Sequence, residues 1–344
     1  MRFSRGVDYT PRGFDPLEQR NWSEERIASI WKGWEMPTLQ IVFTDTPFPE
    51  TDVEESVLSP LQAAITVGHC RTEEDVLAIT RDADAVIVQW APISRRVIEH
   101  LTHCRIISRY GVGVDMIDLE AARDHNITVA NVPDFCVEEV ATHTLGFLVA
   151  LGRKIVLQDR LLRQGVWKAV DAIRPVNRFR NQTLGLVGVG RIGRRVAEMA
   201  APLGLRILGY DVRPPRDPAP VTLADFETVI RESDYVSLHC PLTKDTLHLI
   251  NAEVLGKMKP GAFLINMARG GVVDTAALLA ALSRGQIAGA ALDVFEQEPL
   301  PPDHPLTKMD NVILTPHLAS YSVDAVLQLR KATARNVVEF FQKG

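Results

Sequence analysis

From residue 39 onward, short and largely apolar runs alternate with longer stretches in which apolar side chains recur every three or four positions. The runs fall at residues 39–43, 85–88, 105–108, 128–131, 184–187, 207–211, 236–239, 262–266, 289–294 and 312–314. Near-continuous apolarity, rather than strict alternation, predicts strands covered on both faces, as in a parallel sheet. Between them the helical period predicts helices over 72–80, 94–101, 119–125, 137–163, 252–258, 275–283 and 324–341. Thr72, followed by Glu73 and Glu74, supplies a cap and first-turn acids for the first of these. A β/α alternation of this length makes the fold class α/β. Several strands end in polar or small residues, as a ligand crevice at the C-terminal edge of an open sheet requires.

One stretch sharpens that expectation. The run 184–187 leads into Gly188-Val-Gly190-Arg191-Ile192-Gly193 and then a helical pattern with Ile192, Val196 and Met199 along one side. In G-x-G-x-x-G the first glycine allows the tight turn and the second lets backbone approach a pyrophosphate. The third brings helix against sheet, and the helix N-terminus offers free N–H groups to the phosphates. The next strand ends at Asp211, 18 residues beyond Gly193, where a carboxylate meets ribose hydroxyls. Glycines alone are weak evidence. Strand, helix, strand and acid in register predict a dinucleotide site.

A second glycine turn, Gly111-Val112-Gly113, follows the run 105–108. Bare N–H groups at a strand's C-terminal end can hold a carboxylate; an ordinary strand-to-helix turn reads the same way.

Bulk properties add limits. The 344 residues favour two domains, and a net charge of −5 gives no basic excess for nucleic acid or an anionic membrane. The longest apolar runs fall short of a membrane span, and the charged first residues do not read as a signal peptide. Cys70, Cys104, Cys136 and Cys240 are scattered, which suits reduced thiols in the cytoplasm and neither a zinc site nor a disulfide framework. Residues 1–37 stand apart, carrying Trp22, Trp31 and Trp34 among charges, with a short helix expected after Ser23. They read as a loosely attached extension, or as the result of an upstream start before Met36, rather than as a docking arm. A chain begun at Met36 is expected to fold and stay active.

Three further motifs are distinctive: Asn266-Met-Ala268-Arg269-Gly-Gly, Asp293-Val-Phe-Glu-Gln-Glu298-Pro299 and Thr315-Pro-His317. With the glycine fingerprint they resemble the D-isomer-specific 2-hydroxyacid dehydrogenases, in order and spacing, from about residue 39 to the end. Asn131-Val-Pro-Asp-Phe-Cys-Val-Glu-Glu139 and Leu238-His-Cys-Pro241 look closest to the branch containing the C-terminal-binding proteins. Ser320, where that branch has a tryptophan near its ligand, argues against a shared substrate. Met116 and Val140 also depart from residues frequent in the family.

The resemblance implies a Rossmann nucleotide-binding domain, residues 136–317, and a smaller flavodoxin-like substrate domain, residues 38–135 and 318–344, with the site in the cleft between them. It implies an NAD-dependent enzyme interconverting a D-2-hydroxy acid and a 2-oxo acid. Arg269 falls on the substrate-binding arginine, Glu298 on the orienting acid and His317 on the acid/base. Val112 and Gly113 would hold the substrate carboxylate; Arg191 and Ile192 would face the pyrophosphate. Cys240, Thr246, Ala268 and Asp293 would line the adenosine and nicotinamide pockets, and Trp167 matches a frequent aromatic. The chemistry needs these types. A guanidinium fork grips carboxylate and carbonyl oxygens, and a histidine can give a proton to the nascent alkoxide and take it back in reverse. A neighbouring carboxylate fixes its tautomer and favours imidazolium. The acid at Glu298 disfavours formate dehydrogenase relatives, which carry Gln there. A cytoplasmic homodimer with a small acid substrate is expected. The alternative is an NAD(H)-sensing, corepressor-like binding protein.

Overall fold

The computed structural model describes residues 38–168 and 170–343. The extension at 1–37, with its expected tryptophan-bearing helix, lies outside the described residues.

Two parallel sheets form the frame. The first carries β1 (Gln40–Phe43), β2 (Ala64–Val67), β3 (Ala85–Val88), β4 (Ile106–Arg109) and β5 (Thr128–Ala130) in the order β2-β1-β3-β4-β5. The second carries β6 (Thr183–Val187), β7 (Arg206–Tyr210), β8 (Thr222–Leu223), β9 (Tyr235–Leu238), β10 (Phe263–Asn266), β11 (Gly289–Leu292) and β12 (Val312–Leu314). Its order is β12-β11-β10-β9-β6-β7-β8. The first order is that of flavodoxin-like sheets; the second reverses direction between β6 and β9, as a doubly wound nucleotide sheet does. Every residue of β3, β6, β9, β10 and β11 is buried, which is why those runs are almost continuously apolar.

The helices of the first half are α1 (Asp52–Leu58), α2 (Glu73–Thr80), α3 (Arg95–His100) and α4 (Leu119–Asp124). Then come α5 (Val137–Arg153), α6 (Ile155–Arg163), α7 (Val170–Ile173) and α8 (Arg191–Ala200). The chain ends with α9 (Phe226–Glu232), α10 (Ala252–Lys257), α11 (Thr275–Ser283) and α12 (Val323–Lys343). Thr72 and Asp75 close a reciprocal capping box on α2.

The single helix expected over 137–163 is two. Lys154 turns left-handed (φ 58°, ψ 33°) and bends α6 by 62° from α5. Its ammonium lies 4.7 Å from the centre of the Phe263 ring, a cation–π contact that favours the bend. No single helix among the described residues is long and apolar enough to cross a membrane. Also unanticipated were α1, the exposed edge strand β2, β8 and α9; each is short, and β2 presents little apolar surface inward.

The two sheets draw on different parts of the chain. α5 packs along α8, against the second sheet, while α12 returns from the far end to cover α1, β3 and β4 of the first. Ser108 of β4 donates to the Thr333 carbonyl of α12 (2.9 Å). On this pairing we propose domain limits of 38–135 with 318–344, and 136–317. The two crossings, near residues 133–137 and 315–322, bring the C-terminal strand ends of both sheets to one cleft.

Candidate active site

The glycine turn shows why each glycine stands where it does. Gly188 has φ +97°, and a Cβ there would meet the His239 carbonyl carbon at 2.7 Å. A Cβ on Gly193 would fall on the Gly188 carbonyl oxygen, so that glycine seats α8 against the turn. Gly190 faces open space and caps α8 without a side-chain hydrogen bond, leaving room and free N–H groups at the helix start. Asp211, just beyond β7, accepts from the N–H groups of Val189 (2.8 Å) and Arg213 (2.8 Å). An open N–H cradle with an acid beside it fits a dinucleotide. Arg191 meanwhile pairs with Asp134 (2.5 Å), and Ile192 is half-buried behind it. Cys240 and buried Ala268 follow the ends of β9 and β10, and Thr246 donates to the Pro241 carbonyl (2.6 Å).

Across from this turn His317 and Glu298 meet. His317 Nδ1 and Glu298 Oε2 are 2.7 Å apart, and Glu298 Oε1 accepts the Phe295 N–H (2.9 Å). Burial pushes the Glu298 carboxyl up, but hydrogen bonds from His317 and Phe295, with the charges of His317 and Arg269, outweigh it. Its pKa ends below the usual range. Glu296, the neighbouring acid, is engaged elsewhere, with His248 (2.6 Å) and the Thr275 N–H (2.9 Å).

His317 itself sits left-handed at φ 55°, a conformation disfavoured for a side chain with a Cβ. The loop around it is held by Asp293, which is 3% exposed. Its carboxylate accepts from Thr315 Oγ1 (2.5 Å) and from the N–H groups of Leu318 (3.1 Å) and Ala319 (3.0 Å). Its carbonyl takes the His317 N–H (2.8 Å). Asp293 thus anchors the histidine loop, beyond the cofactor contact expected of it.

Arg269 reaches over to the first sheet. Its Nε donates to Asp115 (2.8 Å), and Nη1 to the Ala268 carbonyl (2.9 Å). A Cβ on Gly113 would collide with Arg269 Nη2, and one on Gly270 with the Phe295–Glu296 backbone. Those two glycines let the arginine loop press against both the turn at Val112 and Gly113 and the strand exit leading to Glu298. Val112 holds its carbonyl against Asn131 Nδ2 (2.6 Å). Among the described residues, neither the Val112 nor the Gly113 N–H is taken by a hydrogen bond.

Two residues of this cleft were not singled out from the sequence. Arg109, the last residue of β4, is 4% exposed and its Nε has no partner among the described residues. Burial and the nearby charge of Arg269 push its pKa down to about 10. Trp90, after β3, packs edge-to-face on His317 with ring centres 5.4 Å apart. The signal for Arg109 was a charge at the C-terminal end of an apolar run, two residues before a glycine turn.

Comparison with known proteins agrees with this geometry. The family model described as "D-isomer specific 2-hydroxyacid dehydrogenase, NAD binding domain" matches residues 145–319. The chain belongs to the D-isomer-specific 2-hydroxyacid dehydrogenase family. A glyoxylate reductase of Thermofilum pendens is 43% identical over 279 residues, covering 78% of this chain and 81% of that protein. One of Korarchaeum cryptofilum is 42% identical over 273 residues, covering 77% and 82%. The crystal structure of the Aquifex aeolicus D-lactate dehydrogenase, complexed with NAD and lactic acid, superposes with a TM-score of 0.80. It shares 30% identity and covers 88% of this chain and 96% of its own. The family member described here is therefore an NAD-dependent oxidoreductase of 2-hydroxy and 2-oxo acids. These relatives carry enzyme names and lend no support to a corepressor-like reading.

Proposed function

We propose that the chain reduces a small 2-oxo acid to its D-2-hydroxy acid with NADH, using His317, Glu298 and Arg269. The observation that carries this is the hydrogen-bonded Glu298–His317 pair in the same cleft as the Arg269 fork, which lies against the turn at Val112 and Gly113. The substrate carboxylate lies on the free N–H groups of Val112 and Gly113, with the guanidiniums of Arg109 and Arg269 flanking them. Arg269 and His317 hold the carbonyl oxygen. NADH, held at the glycine turn, would supply the hydride. Because Glu298 occupies Nδ1, His317 delivers its proton from Nε2 to the oxygen that gains charge. In the reverse direction the same nitrogen takes the proton back.

The names of the two archaeal relatives make glyoxylate the first acid to try. NADH oxidation with a panel of 2-oxo acids tests the reading; no turnover with any of them, by cofactor-saturated enzyme, overturns it. We further propose a cytoplasmic homodimer. Ile155, Leu162, Val166, Trp167 and Val170 form an apolar arm along α6 and its continuation, with Trp167 74% exposed. Packing within one copy leaves that indole in water, whereas a second copy would cover it. Trp167→Lys should convert the dimer to monomer in sedimentation; an unchanged mass would refute this arrangement.

A further inference from the structure

Trp90 is a large apolar side chain left 51% exposed in the cleft, yet it is held from several directions. Asp45 accepts the N–H groups of Gln89 (2.9 Å), Trp90 (2.6 Å) and Ala91 (3.3 Å), which locks the backbone of its loop. The Gln89 amide, oriented to satisfy its neighbours, accepts from Trp90 Nε1 (3.3 Å) and donates to the Tyr110 carbonyl (2.9 Å). The guanidinium of buried Arg109 lies 5.1 Å from the centre of the indole. His317 meets the same indole at 5.4 Å with the planes 67° apart.

An edge-to-face contact at that spacing is direct. No methylene passes between the indole and the imidazole. On the reading above, His317 works at the carbonyl oxygen of the substrate, so groups attached to the carbonyl carbon on this side must end before Trp90. Arg109 occupies a face of the indole, which leaves less of it to stack against a substrate ring. We infer that Trp90 is the fixed wall of the substrate side-chain pocket, confining the enzyme to 2-oxo acids whose side chain is hydrogen or methyl.

This inference rests on the reductase reading, and the experiment separates the two. kcat/KM with NADH is measured for glyoxylate, pyruvate, 4-methyl-2-oxopentanoate and phenylpyruvate in the wild type, Trp90→Phe and Trp90→Ala. Excluding one methylene is worth roughly 10–200-fold, so the wild type should favour glyoxylate over 4-methyl-2-oxopentanoate by at least ~100-fold. That ratio should shrink through Trp90→Phe and fall at least ~10-fold in Trp90→Ala. A wild type that reduces both equally, or a ratio unmoved in both variants, overturns the wall and leaves the reductase standing. Selective loss of phenylpyruvate reduction in Trp90→Ala also overturns it, by showing a stacking platform. No turnover of any acid by the wild type overturns the reductase reading, and the wall with it.

Discussion

In the proposed mechanism His317 and Glu298 set the chemistry, and their substitution separates acid/base help from binding. His317→Ala should cost ~10²–10⁴-fold in kcat, read from steady-state reduction at saturating NADH. Arg269→Ala should raise KM for the acid as well, because the fork on its oxygens is gone. A pH experiment isolates Glu298. Its folded pKa lies below its ordinary 4.5, so its ionised form contributes stability that is fully present above that pH. That contribution is lost as pH falls through the depressed value. The Tm difference between wild type and Glu298→Gln should therefore be largest near neutrality and close below pH 4.5; a constant difference would mean the pair does not report on folding. The glycines make an opposite pair. Gly190→Ala meets no atom within 4 Å, so Tm should hold while NADH affinity drops, by about tenfold or ~1.4 kcal/mol. Gly193→Ala drives its Cβ into the Gly188 carbonyl and should lower Tm; equal Tm in the two variants would contradict the packing described.

Among the elements, α12 is the one whose attachment is most open to test. Glu54 of α1 is fully buried, and Arg330 of α12 reaches it through Nε (2.9 Å) and Nη2 (2.6 Å). Tyr110 donates its hydroxyl to the same carboxylate (2.8 Å). Tyr110 directly precedes Gly111, so this ion pair braces the turn that presents Val112 and Gly113. Removing one partner of a buried pair leaves the other charge uncompensated, at a cost of about 3–5 kcal/mol. Arg330→Met should lower stability on that scale in urea unfolding, and adding Glu54→Gln should recover part of the loss. If the double variant is no more stable than the single one, the pairing is not what holds α12.

For the whole molecule, the questions are which cofactor is used and how the two sheets communicate. On the proposed reading, Asp211 beside the glycine turn would accept from ribose hydroxyls and repel a 2′-phosphate, while Arg213 two residues on would offset part of that repulsion. We expect NADH to be used over NADPH by at least tenfold in kcat/KM, about 1.4 kcal/mol. Equal use would show that Arg213 dominates. The Arg269–Asp115 pair links a loop of the second sheet to the turn of the first. Asp115→Ala should raise KM for the acid while leaving NADH affinity near its original value, because Asp115 lies on the substrate side alone.

The local patterns determined the dinucleotide fold and its chemistry. Apolar runs, glycine spacing and strand-terminal acids act over a few residues, so the turn at Gly188, Gly190 and Gly193 and the acid at Asp211 could be read without any knowledge of packing, whereas Arg269, Glu298 and His317 come from the family resemblance of their motifs. The α/β class was legible because short apolar runs of strand length alternate with longer helical stretches along the chain. Tertiary structure alone decided the rest. Lys154 breaks a helix that its own period would continue, and there its ammonium meets Phe263 from a distant strand. The motif match favours Glu298 over Glu296, but only folding supplies the partners, His248 for Glu296 and His317 for Glu298. Arg109 and Trp90 join the cleft only because β3 and β4 end beside the histidine loop, more than 200 residues away along the chain. Contacts of that separation leave no local pattern, since each partner obeys only the rules of its own strand or loop.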